Sequence, residues 1–146
     1  MARTYEVGVR GVAAAAAAPY ASFHAGGTNR VKIREIGFFL SAATATSIGL
    51  GRPANSPVAT TSSLGQARDP AEPAATANAD TAWSTAPTAP TIFMRRAALP
   101  ATQGAGLIWT WPPDAPFVLA AGAFLVFWNF GGAAGAAPDI YVCYEE

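Results

Sequence analysis

The sequence has 146 residues, a length typical of a single domain. Only 12% of the residues are charged, about half of the ~25% usual for soluble domains, and nine basic side chains balance nine acidic ones. This balance excludes a strongly basic nucleic-acid binder and an acidic solvating tail. The hydrophobic fraction of 51% includes 35 alanines, so the residues able to fill a core are fewer than it suggests. A neutral surface with few charges favours association.

The first predicted element is a strand over residues 3–10, because Tyr5, Val7 and Val9 alternate with polar residues. The alanine run 13–18 is too short to form a stable helix alone, and Pro19 follows it, so it is predicted to be a connector. Glu6 and Arg10 interrupt any resemblance of this region to a signal peptide. We expect synthesis in the cytoplasm of a host cell without a signal peptide.

The next predicted strand covers residues 31–40, and its alternation changes phase in the middle. Val31 and Ile33 occupy odd positions, whereas Ile36, Phe38 and Leu40 occupy even ones. One extra residue that shifts the apolar face is typical of a β-bulge, although a bent or helical segment would also explain it. Residues 44–50 predict a further strand made of small residues.

The segment 53–80 has a different composition, with four prolines among Ser, Thr, Ala and Asn and almost no large apolar residues. Such a composition cannot bury enough surface to form a core of its own. We predict an extended loop insertion over 53–80, ordered by packing on a neighbouring subunit.

Short strand patterns return after residue 80, separated by Gly- and Pro-containing turns. Residues 117–119 and 124–128 are interpreted as a buried hairpin. The other predicted strands cover residues 81–84, 91–97, 107–111 and 139–144. The spacing predicts an all-β chain: one antiparallel β-sandwich domain over residues 1–146, with no membrane span because the longest apolar stretch is too short.

Candidate catalytic residues are scarce. His24 is the only histidine and Cys143 the only cysteine, so no intrachain disulfide and no histidine-based zinc site can form. His24 is interpreted as a loop or strand-end residue, and Cys143 as a small apolar residue in a strand. Because no nucleophile-elbow or phosphate-loop pattern is present, we predict that the protein is not an enzyme and needs no cofactor or metal.

Basic residues form the candidate interface. Alternation places Arg30, Lys32 and Arg34 on one face of a strand, opposite Val31 and Ile33. Arg95 and Arg96 add a second basic group. A solvated strand face explains these residues most simply, and contact with an acidic partner is the alternative.

Trp109, Trp111 and Trp128 fit strand positions and are interpreted as core residues. Exposed aromatic residues would instead form a sugar-binding platform or a protein contact. The sequence leaves both interpretations open.

Several segments resemble small structural proteins of tailed bacteriophages. The resemblance rests on Ile33–Phe39, with its Glu-Ile-Gly-Phe-Phe pattern, and on Gly106–Trp111, which reads Gly-Leu-Ile-Trp-Thr-Trp. It continues through the apolar region 117–127 to the closing Tyr-Val-Cys-Tyr-Glu-Glu of residues 141–146. The resemblance implies a jelly-roll-like sandwich that decorates or cements a phage head.

Two functions follow as hypotheses. The first is a structural virion protein on the capsid surface, acting as a homotrimer whose partner is the major capsid protein. Under this hypothesis we expect no nucleic-acid, membrane or small-molecule partner. The alternative is a carbohydrate- or receptor-binding module of a tail or surface appendage.

Overall fold

The computed structural model describes residues 3–146, which form two antiparallel β-sheets. Sheet A contains β1 (Thr4–Arg10), β3 (Val31–Leu40), β6 (Gln66–Ala67), β9 (Gly106–Thr110), β10 (Phe117–Leu119) and β12 (Pro138–Glu145). Sheet B contains β2 (Pro19–His24), β4 (Thr46–Gly51), β5 (Val58–Leu64), β7 (Asn78–Thr85), β8 (Phe93–Leu99) and β11 (Phe124–Trp128). Among these residues there is no helix of the length and apolarity needed to cross a membrane. The predicted all-β, antiparallel sandwich is confirmed.

The strand order is that of a jelly roll. Sheet A runs β10–β3–β12–β1–β6, with β9 also paired to β3, and sheet B runs β5–β7–β2–β11–β4–β8. Within residues 3–146 consecutive strands alternate between the sheets, except that β4 is followed by β5, β7 by β8 and β9 by β10 in the same sheet. This path places four strands of each sheet in the jelly-roll arrangement, and β5, β6 and β7 extend both sheets at one edge.

The core lies between the two sheets and is built from alternate residues of their strands. Tyr5, Tyr20, Phe23, Phe38 and Tyr144 are among its largest fully buried side chains. Tyr144 stacks on Tyr5 with 5.6 Å between ring centroids and meets Phe23 edge-on at 5.1 Å. These contacts join β1 and β12 of one sheet to β2 of the other.

The predicted bulge in β3 is confirmed and lies at Arg34. Along the β3–β12 ladder, Cys143 is opposite Glu35, but Tyr144 is opposite Ile33, so Arg34 is the extra residue. Because of this residue, Ile33 and Ile36 both point into the core, although three positions separate them.

The segment 53–80 is not an extended loop throughout, which corrects the prediction. It contains β5, β6 and the first residues of β7, and β5 pairs with β7 along the edge of sheet B. Since β5 is the last strand of its sheet and most of its side chains are exposed, backbone hydrogen bonds hold it in place. Its Ser- and Thr-rich sequence therefore lacks the apolar alternation that reveals a strand.

The predicted hairpin over residues 117–128 is also wrong. β10 pairs with β3 in sheet A, whereas β11 lies between β2 and β4 in sheet B. The turn that contains Gly122, with a φ of 71°, carries the chain across the sandwich instead of back along the same sheet. Leu119 and Leu125 are both fully buried, because each strand directs an apolar side chain into the core between the sheets.

Candidate interaction surfaces

The arginine at the bulge, Arg34, is half-buried and is held by two kinds of contact. Its guanidinium donates from Nε and Nη2 to Glu145 at 2.8 and 2.9 Å. Nη1 donates to the carbonyl oxygens of Pro112 and Pro113 at 3.2 and 2.7 Å. Arg34, one of the five predicted interface residues, thus uses its guanidinium for hydrogen bonds within the protein.

Three other arginines also pair with carboxylates. Arg10 binds Asp139 through two hydrogen bonds of 2.8 and 2.9 Å. Arg3 lies 2.7 Å from Glu72, and Arg68 binds Glu6. The Arg10 contact lowers the pKa of Asp139, and the Arg68 hydrogen bond lowers the pKa of Glu6.

The remaining cations have no carboxylate within ion-pair distance in residues 3–146, and all of them are exposed. These five are Arg30, Lys32, Arg52, Arg95 and Arg96. Lys32 is opposite Val118 of β10, the last strand of sheet A, and the Val118 carbonyl oxygen accepts a hydrogen bond from Arg52. Arg95 and Arg96 belong to β8, the last strand of sheet B. Arg95 lies over Trp111, whose ring is 5.7 Å from that of Phe117 in β10. The structure thus brings Lys32, Arg52 and Arg95 close to β10.

Three of these arginines lie over aromatic rings. The Arg95 guanidinium carbon is 5.6 Å from the Trp111 ring centroid, and that of Arg52 is 5.2 Å from Phe117. The guanidinium carbon of Arg96 is 3.9 Å from the ring centroid of Phe130, so each cation is supported by a ring instead of a carboxylate.

Apolar side chains are exposed beside these cations. Ile92 is 76% exposed and Met94 is 37% exposed, and both line a hollow of about 240 Å³ together with Arg52 and Thr91. We call the surface formed by Arg52, Ile92, Met94, Arg95 and Arg96 the β8 edge. The sequence analysis does not predict Arg52, Ile92 and Met94 as part of this surface. The two apolar residues next to the Arg95–Arg96 pair are the only local pattern that indicates them.

A second concave surface lies on the outer face of sheet A. It is a depression of about 430 Å³ whose lining includes Arg34, Arg68, Trp111, Cys143 and Glu145. Both arginines of this depression are ion-paired, whereas the carboxylate of Glu35, which also lines it, accepts a hydrogen bond from Tyr141.

A thiol and a phenol near this depression donate hydrogen bonds to carboxylates and have raised pKa values. The Cys143 thiol donates to Glu6 Oε1 at 3.3 Å, and burial, followed by this hydrogen bond, raises the pKa of Cys143 to about 11. The Tyr141 hydroxyl donates to Glu35 at 2.7 Å, and this bond raises the pKa of Tyr141 to about 12. Cys143 lies in β12 and is buried, as its apolar pattern predicts.

His24 is the last residue of β2 and belongs to a polar network centred on Asp80. The fully buried Asp80 carboxylate contacts His24 Nδ1 at 2.8 Å and accepts from the hydroxyls of Ser22 and Ser62 at 3.1 and 2.6 Å. Ser22 Oγ also accepts from Trp83 Nε1 at 3.1 Å. The network joins β2, β5 and β7, and its serines bond to Asp80 instead of to the imidazole.

The tryptophans differ in exposure. Trp128 is buried, and Trp83, Trp109 and Trp111 are half-buried. The core interpretation therefore holds for Trp128, while Trp109 and Trp111 pack against the margin of the core. Within residues 3–146 no group of three or more His, Cys, Asp or Glu side chains is arranged to hold a metal ion.

Comparison of the chain with protein families, curated proteins and solved structures finds no match.

Proposed function

We propose that the protein is a structural subunit of a virion, which decorates or cements the head of a tailed bacteriophage as a homotrimer bound to the major capsid protein. The observation that carries the proposal is the arrangement of the segments that resemble phage head proteins. Ile33–Phe39, Gly106–Trp111 and residues 141–146 are far apart in sequence, yet their strands β9, β3 and β12 are neighbours in sheet A. These three segments thus lie side by side in one sheet of a jelly roll, an architecture that viral capsid proteins use, and the fourth segment, 117–127, continues from that sheet into β11 of sheet B.

The distribution of exposed groups supports a role in assembly. The β8 edge combines exposed apolar side chains with cations that have no carboxylate partner among residues 3–146. Such a surface gains stability when a partner covers it. A subunit that binds only the closed shell would stabilise that shell by mass action.

Stripping and restoring the protein tests this role. Virions of the phage whose genome encodes the chain are washed with a mild chaotrope, and heat-induced DNA release is followed with a fluorescent dye. We expect stripped heads to release DNA at a lower temperature, and purified protein to restore the original temperature. Equal release temperatures with and without the protein would overturn the proposal.

The oligomeric state is tested separately by light scattering of the purified protein. We expect a mass about three times the chain mass of 14.9 kDa. A mass equal to one chain at every concentration would contradict the trimer.

The depression on sheet A favours a second candidate, a carbohydrate- or receptor-binding module. Trp111, Thr110 and the carboxylate groups of Glu35 and Glu145 line one concave surface, and sugars bind aromatic rings flanked by such polar groups. A glycan array tests the carbohydrate-binding form of this candidate: specific binding that is lost in Trp111→Ala supports it, and no binding to any glycan contradicts it.

A further inference from the structure

We propose that the β8 edge binds an acidic, extended segment of another protein, which adds to sheet B as a strand beside β8. This inference goes beyond the capsid role, because it specifies the chemistry of a partner whatever particle the protein belongs to. It rests on the backbone of β8, on the cations around it and on the apolar residues next to them.

The backbone of β8 provides the first reason. Among residues 3–146, β8 pairs only with β4, so the peptide groups on its other side face away from the sheet. An edge strand of this kind can accept a further strand through main-chain hydrogen bonds. With seven residues, β8 is long enough for a regular ladder.

The cations provide the second reason. Arg95 is opposite Leu50 and reaches Trp111 of the other sheet, while Arg96 is opposite Gly49 and lies over Phe130. The two arginines therefore flank β8 on its two faces. A guanidinium that is stacked on a ring keeps its N–H edge available for a carboxylate, which it can bind through two parallel hydrogen bonds.

The apolar residues provide the third reason. Ile92 and Met94 line the hollow of about 240 Å³ at the start of β8, with Arg52 at its side. A strand that runs along β8 would place one of its own apolar side chains in this hollow. The matching segment thus carries apolar residues near Ile92 and adjacent acidic residues near Arg95 and Arg96.

The chain does not carry a matching acidic surface of its own. Of the nine acidic residues, four are ion-paired with arginine, Asp80 is buried, and Glu146 accepts the amides of residues 76 and 77. The remaining three, Glu35, Asp69 and Asp114, lie in separate parts of the chain. Pairing of β8 with β8 of a second copy would bring arginine next to arginine, which is unfavourable.

Nucleic acid fits this surface less well than an acidic peptide does. Bases bind single-strand sites by stacking on open aromatic faces. Here a guanidinium lies over the rings of Trp111, Phe117 and Phe130. The aromatic residues support the cations and leave few stacking faces for a base.

The test uses the purified full-length protein and a synthetic peptide as long as β8, in which Val-Val and Glu-Glu pairs alternate. We expect binding by calorimetry that weakens as salt is raised, together with slower hydrogen exchange of β8 amides in the complex. The same peptide with Gln in place of Glu is expected to bind at least about tenfold more weakly, since charge-assisted hydrogen bonds are lost. Neither measurement requires a variant protein.

Variants locate the site. The double substitution Arg95→Gln and Arg96→Gln is expected to weaken binding by about tenfold or more, whereas Arg10→Gln removes one exposed, ion-paired arginine elsewhere and should leave affinity unchanged. Equal binding of the Glu and Gln peptides, or equal loss in Arg10→Gln, would overturn the proposal. Tighter binding of single-stranded oligothymidylate than of the Glu peptide would overturn it in favour of nucleic acid.

Discussion

Arg34 and Arg10 make the same bidentate contact with a carboxylate, but in different surroundings. The side chains of Arg34 and Glu145 are 22% and 17% exposed, whereas those of Arg10 and Asp139 are 64% and 52% exposed. We expect Arg34→Met to lower the free energy of unfolding by about 1–3 kcal/mol, because Glu145 and two proline carbonyls lose their donor. Arg10→Met should cost less than Arg34→Met, because solvent screens the exposed Arg10–Asp139 pair. Urea unfolding of both variants measures the difference, and equal costs would contradict the role of burial.

The thiol of Cys143 predicts a dependence of stability on pH. Its pKa rises from 9.0 to about 11 in the folded protein, so the folded state holds this proton more tightly than the unfolded state does. The stabilisation is fully present below pH 9 and is lost as pH rises through 11. We expect ultraviolet thiolate absorbance to titrate near 11 in the native protein and near 9 in denaturant. A native midpoint at or below 9 would contradict the burial of the thiol.

The sequence predicts the face on which a residue lies better than it predicts the residue's partner. Alternation is enough to place Lys32 and Arg34 opposite Val31 and Ile33, which are both fully buried. The ion pair of Arg34 with Glu145 spans 111 positions, and no local pattern reports it. The exposed cations are therefore predictable as a set, but their spatial arrangement relative to β8 and β10 is not.

The sequence pattern reveals a strand where one face of the strand is buried, and it does not where both faces are exposed. The bulge in β3 is visible because the apolar phase must change to keep Ile33 and Ile36 in the core. β5 has no apolar phase and depends on backbone pairing at the edge of sheet B. The turn between β10 and β11 is short enough for a hairpin, and its sequence does not specify which sheet the next strand joins.

The Asp80 network predicts how firmly the edge strands are attached. Asp80→Ala leaves Ser22, Ser62 and His24 without their shared acceptor, so we expect unfolding to require about 2–4 kcal/mol less. Hydrogen exchange should accelerate most in β5 and β7. Asp114→Ala, in an exposed turn, is the control and should change stability by less than about 0.5 kcal/mol. Unchanged hydrogen exchange of the β5 amides in Asp80→Ala would contradict the role of the network in attaching β5 to sheet B.

The charges cancel in the sequence but are unevenly distributed over the folded molecule. Among residues 3–146, four arginines are neutralised by carboxylates and five cations have no such partner; three of these five, Lys32, Arg52 and Arg95, lie close to β10. Equal numbers of charges thus coexist with an uneven distribution. Sequence composition predicts association, and the fold shows where the cations without partners lie.

The most direct measurement of the proposed function is a cryo-electron microscopy map of a tailed-phage virion that contains this chain. The proposed function predicts density for the two-sheet sandwich on the outer surface of the head, in groups of three in contact with the major capsid protein. A head surface without such density, or the same sandwich at the tip of the tail, would contradict a decorating role.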